Sequence, residues 1–132
     1  MGSFSDYAEN KLLDHVLGKA AYTAPTVYVA LSTADPTDDG TGMAEPSGNG
    51  YARVATSAAT WASAAAGATS NATAIEFPTS TGSWGTITHV ALFDAATDGN
   101  MLGHDELTTS RAVTSAGIIP RFSIGELDVT LD

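Results

Sequence analysis

Apolar positions are packed most densely between Trp84 and Phe93, and a polar run, Asp94-Ala-Ala-Thr-Asp-Gly-Asn100, follows directly. Ile87 to Phe93 is rich in β-formers, and Asp98-Gly99-Asn100 carries turn signals, so the stretch predicts a central strand entering a hairpin. Alternation places Ile87, His89, Ala91 and Phe93 on one side and Val90 and Leu92 on the other. Both sides are largely apolar, which predicts burial on both faces.

The remaining pattern is read outward from that strand. Tyr7, Ala8, Leu12 and Val16, with Leu13 and Leu17, recur at helical spacing and form one apolar stripe. Ser5 or Asp6 can cap this helix, Asp6 and Glu9 suit its first turn, and Gly18-Lys19 supplies a stop. Thr26 to Ser32 alternates as a half-buried strand, and a long polar loop runs from Asp35 to Gly50. Tyr51 to Ser57 and on through Trp61 predicts a strand, Ala62 to Gly67 a turn, and Thr69 to Phe77 a further strand ending before Pro78. Met101 to Thr108 returns across the hairpin, and Arg111 to Ser115 forms a short strand. In the last stretch Phe122 and Ile124 have one parity and Leu127, Val129 and Leu131 the other. A β-bulge at Gly125 would let both sets face one core.

About eight short strands with no interleaved helices predict a mainly β protein, a single antiparallel β-sandwich or jelly roll with one N-terminal α-helix. An arm and helix over residues 1–20 precede the sandwich domain over 21–132. A β-sandwich closes its core without a leading helix, so the helix is a candidate for docking on a partner protein.

Composition changes this picture in three ways. Leu, Ile, Val and Phe number only 25 of 132 residues, so the core is thin and the domain gains from oligomerising. With 15 Asp and Glu against five Lys and Arg, the net charge is −10 and phosphate backbones are repelled, which excludes nucleic acid as a partner. The absence of cysteine removes disulfides, thiolate nucleophiles and Cys-ligated zinc. With neither a secretory signal nor a long apolar run, the chain is expected to be soluble and unexported, with no membrane partner.

Candidate chemistry is sparse. His15, His89 and His104 lack metal-ligand spacing. His104-Asp105-Glu106 fits a solvated strand edge better than acid–base work. Asp35-Pro-Thr-Asp-Asp-Gly40 looks like the start of a calcium loop, but Pro46 stands where the twelfth-position acid belongs. Glycosidase chemistry would need two of Asp105, Glu106 and Glu126 to converge in a cleft. No catalytic residue, metal site, cofactor or small-molecule substrate is expected. Candidate contact residues are Tyr7, Leu12 and Val16 on the helix and Asp38, Asp39 and Met43 in the long loop. A receptor-binding module would instead show clustered exposed aromatics such as Tyr51, Trp61 and Trp84.

An ordered set of blocks runs along nearly the whole chain. It comprises Phe4 to Leu17, Ala21 to Pro25, Val27 to Leu31, Thr33 to Pro36, Gly50-Tyr-Ala-Arg53, Glu76-Phe-Pro78, Ser83 to Thr86, Thr88-His89, Asp94 to Thr97 and Gly125 to Asp132. These blocks resemble a family of small tailed-phage virion proteins that carry the label "phage tail fibre protein" and are similar to jelly-roll capsid decoration, or cement, proteins. The resemblance implies a non-enzymatic virion protein made in the host cytoplasm. Its expected form is a homotrimer on the capsid surface bound to the major capsid protein; the alternative is a tail fibre or receptor-binding module. It implies no catalytic residues.

Overall fold

The computed structural model describes residues 3–131. Five strands form the main sheet: β1 (Ser3–Phe4), β2 (Tyr28–Ser32), β3 (Val54–Ala55), β6 (Gly85–Phe93) and β7 (Met101–Val113), in the order β1-β7-β6-β2-β3. All pairings are antiparallel. Two ribbons complete the β structure: β4 (Ala68–Ser70) with β9 (Asp128–Thr130), and β5 (Ile75–Glu76) with β8 (Arg121–Phe122). One helix, α1 (Asp6–Val16), follows β1. The mainly β, antiparallel architecture with a single N-terminal helix agrees with the sequence expectation.

β6 is the central strand, flanked by β2 and β7. On one face Val29, Leu31, Val90 and Leu92 meet Ile75, Phe77, Trp84 and Leu127, and Phe122 and Val129 of the ribbons pack against them. The ribbons thus make the second layer. On the other face Ala30, Ala91, Phe93 and Met101 form a smaller cluster, closed by Met43 from the long loop. Burial on both faces of β6 is what its continuous apolarity predicts.

Ile87 departs from the predicted faces. Alternation groups it with Ala91 and Phe93, yet it packs in the larger core with Val90 and Leu92. The β6–β7 pairing shifts register at this point. Ile87 pairs with Arg111 while His89 pairs with Glu106, so β7 spends five positions where β6 spends two. The pairing is irregular between Ile87 and His89, and the strict alternation of β6 does not carry across that point. A smaller irregularity next to Leu92 and Phe93 leaves Leu102 outside the pairing.

Several predicted strands are shorter or divided. Only Val54–Ala55 of the 51–57 stretch pairs in the sheet, and a 3-10 turn at Ala58–Thr60 follows. The stretch 69–77 splits around Asn71, and Arg111 to Val113 is continuous with β7. At Gly125 the chain turns rather than bulges: its φ is +80°, and Glu126 N–H donates to Ser123 O at 3.0 Å. The turn still lets both parities reach one core, with Phe122 packing beside Leu127 and Val129, while Ile124 and Leu131 are exposed.

The helix ends are fixed by local chemistry. Ser5 Oγ accepts from Ala8 N–H at 3.1 Å and itself donates to Met101 O, so one hydroxyl both caps α1 and fastens it to β7. At the other end Gly18 takes φ +74°, its N–H donates to His15 O, and Lys19 N–H donates to Asp14 O. This pair of bonds is a Schellman stop, which needs the left-handed residue that glycine supplies.

Candidate functional site: a clamped loop and an exposed helix face

The long loop is held from within. Glu45 grips Arg53 with both oxygens, to Nε at 2.8 Å and to Nη2 at 2.9 Å. Arg53 Nη1 donates to Ala95 O and Asp98 O at 2.8 and 2.9 Å, and its guanidinium lies over the Phe93 ring. The Tyr51 hydroxyl donates to Glu45 Oε2 at 2.6 Å and accepts from Leu31 N–H at 3.0 Å. Burial, reinforced by the Glu45 carboxylate, pushes the Tyr51 phenol up. Burial opposes the charge on Arg53, but the Glu45 bonds outweigh it and the net shift is upward. One ion pair thus ties the loop, β2, β3 and the β6–β7 hairpin together.

Asp38 and Asp39 have separate tasks. The Asp38 carboxylate meets His104 Nε2 at 2.9 Å, and hydrogen bonds from His104 and then Ser3 lower its pKa. Asp38 O also accepts Asp6 N–H at 3.0 Å, which links the loop to the first turn of α1. Asp39 Oδ1 accepts from Thr37 Oγ1, Thr41 N–H and Thr41 Oγ1 at 2.7, 3.0 and 2.8 Å, and these bonds hold its pKa at about 2. Asp35 Oδ1 accepts Thr37 N–H at 3.0 Å. The acidic loop therefore directs its carboxylates at its own donors and at His104. Among the described residues no group of three or more His, Cys, Asp or Glu is placed to hold a metal ion.

Tyr7, Asp38 and Asp39 line one cavity of about 290 Å³, with Phe93, Asn100 and Met101. Leu12, Val16 and Met43 do not reach it. Met43 packs on the smaller core cluster, and Leu12 is half-buried. Val16 belongs to a face that sequence reasoning merged with the rest of the stripe. The helix buries only Ala8, while Leu13, Val16 and Leu17 are 59%, 76% and 77% exposed. Their i, i+3, i+4 spacing makes them one contiguous apolar face on the far turns of α1. The helical period gave a single stripe; the structure divides it, with Ala8 against the domain and Leu13, Val16 and Leu17 outward.

A larger groove of about 520 Å³ opens where β7 bulges. Its floor includes Leu31, Phe77, Ile87 and Val90, and its rim carries Asp105, Glu106, Glu126 and Asp128. The three acids in question, Asp105, Glu106 and Glu126, thus do share a groove, a placement that the spacing of residues 105, 106 and 126 could not reveal. Glu126 Oε2 accepts Ser123 N–H at 2.8 Å there, fixing the turn at Gly125.

The aromatics that a glycan site would display serve the interior instead. Trp84 is 5% exposed and gives its Nε1 proton to Asn49 O at 2.8 Å. Tyr51 stands edge-on to Trp84 with ring centroids 5.2 Å apart, and Trp61 donates to Thr56 Oγ1 at 3.1 Å. No helix among the described residues is long and apolar enough to cross a membrane.

The chain is a small antiparallel β domain with an interlocked loop and an exposed apolar helix face. A family model described as podophage GP4 fiber I protein gp80 matches residues 3–130, and the chain belongs to this family of phage fibre proteins. No curated protein matches the chain.

Proposed function

We propose that the protein is a non-enzymatic structural subunit of a phage virion that acts as a homotrimer and is held in the particle by protein–protein contacts. The observation that carries this reading is the outward apolar face of Leu13, Val16 and Leu17 on a helix whose base is pinned to β7. Exposed apolar area of this kind is stabilised by a partner. The family's description as a fibre protein and the interior use of Tyr51, Trp61 and Trp84 support a structural role over glycan recognition. Of the two placements open from the sequence, capsid decoration on the major capsid protein and a tail fibre, the family description weighs for the fibre.

The test is cosedimentation of purified protein with particles that lack it, using separated heads and tails and, in parallel, host cells. Pelleting with tails supports the fibre placement. Pelleting with heads alone would return the protein to capsid decoration. Binding to cells but to neither particle fraction would overturn the structural-subunit reading.

A further inference from the structure

We propose that His104 is a proton-operated latch between the long loop and the base of α1, holding both more firmly when its ring is charged. The proposal goes beyond the structural-subunit reading and does not depend on where in the particle the protein sits.

His104 lies on β7, and its side chain is only 13% exposed. Two aspartates of the long loop address its two ring nitrogens. Asp38 Oδ1 stands 2.9 Å from Nε2, and Asp35 Oδ1 stands 3.8 Å from Nδ1. A neutral imidazole has one N–H, so it serves one carboxylate and turns a lone pair toward the other. The imidazolium has two N–H groups and a positive charge, and it suits both carboxylates at once. The Asp35 contact is too long for a hydrogen bond and acts through charge, so it gains strength only when the ring is protonated.

The ionisable groups around this ring are all acidic. The loop brings Asp35, Asp38 and, beside it, Asp39; the first turn of α1 brings Asp6; and Asp105 and Glu106 follow His104 on β7. Opposite His104 in register, β1 places Ser3 and β6 places Ala91, neither of them ionisable. The ring is thus the source of positive charge within this set.

Asp38 passes the state of the ring on to the helix. Its carboxylate takes the His104 bond, while its backbone oxygen takes the N–H of Asp6, the first residue of α1, at 3.0 Å. Hydrogen bonds from His104 and Ser3 hold Asp38 below the usual carboxylate range, so it stays charged while the histidine gains or loses its proton. Histidine ordinarily changes charge between about pH 5 and 8. The latch is closed at the acid side of that interval and slackens toward the alkaline side.

Amide exchange at Asp6 tests this, read as a protection factor so that the pH dependence of a free amide is already removed. Lowering the pH from about 7.5 to about 5.5 is expected to raise Asp6 protection about fivefold in the wild type, with Val90 changing less than about twofold. His104→Gln, which keeps an N–H donor and does not titrate, is expected to show no rise. Asp35→Asn, at a side chain 63% exposed, keeps the oxygen that accepts Thr37 N–H and leaves the Asp38 bond in place, and is expected to show less than half the rise. Should His104→Gln fail to fold, the wild type and Asp35→Asn decide the matter between them. Asp6 protection that ignores pH in the wild type, or that rises equally in Asp35→Asn, overturns the proposal. An equal rise at Val90 and Asp6 also overturns it, because the change then belongs to the whole domain. The exchange is measured on the isolated protein, so its outcome is separate from that of the particle-binding test.

Discussion

The guanidinium carbon of Arg53 stands 3.9 Å from the centroid of the Phe93 ring. Phe93 ends the central strand, and Arg53 lies just before β3 at the sheet's far edge. The contact lays a charge across one face of the sheet, and Glu45 supplies the counter-charge from the long loop. With the Arg53 side chain only 6% exposed, neither partner of this pair is dispensable alone.

Glu45→Ala is therefore expected to destabilise the domain by about 3 kcal/mol, the lower end for a broken buried pair because Glu45 keeps some solvent contact. Urea unfolding followed by tryptophan fluorescence measures it. Glu45→Ala combined with Arg53→Met should lose less than the sum of the single changes, because the double variant leaves no stranded guanidinium.

Asn71 is 1% exposed and joins two distant segments. Its Oδ1 accepts Leu127 N–H at 2.9 Å, and its Nδ2 donates to Thr73 O and Ser123 O, each at 2.9 Å. Asn71→Leu keeps the volume and strands these backbone groups, for an expected loss of about 3 kcal/mol. Amide exchange should show Leu127 and Gly125 opening faster while Val90 and Ala91 stay protected.

Asp39 makes the acid limb of stability. Its folded pKa of about 2 lies below the ordinary value of 3.8, so its contribution is fully present above about pH 4. That contribution is lost as pH falls through 2. Asp38, lowered by His104 and Ser3, acts in the same direction. Urea midpoints measured from pH 6 to pH 2 should fall more steeply in the wild type than in Asp39→Asn, with the two curves converging at the acid end.

The central hairpin was legible because its information is local: β-formers in alternation, then Asp98-Gly99-Asn100 at the turn. The cap at Ser5 and the stop at Gly18 were legible for the same reason. The face of Ile87 was not, since it goes with an irregularity in the β6–β7 pairing that nothing in the β6 sequence announces. Gly125 signalled a break in parity without revealing that Asn71 O would take its N–H at 2.9 Å and hold a turn. The loop was rightly singled out as long and acidic, but its decisive acid was Glu45, whose partner lies eight residues on with no periodic relation to it. On the helix, Val16 was found and Leu13 and Leu17 were absorbed into a single stripe. A period of 3.6 tells which residues share a face and leaves open where the domain lies.

Ser5 is fastened to Met101, 96 residues further along the chain. During synthesis, the anchorage that aims α1 is therefore missing until the seventh strand has been made. A helix this short is marginal without tertiary support. The exposed face of Leu13, Val16 and Leu17 consequently acquires its direction late, when most of the sheet has been made. Topology thereby acts as a timer, withholding the final orientation of that face until the sheet is nearly complete.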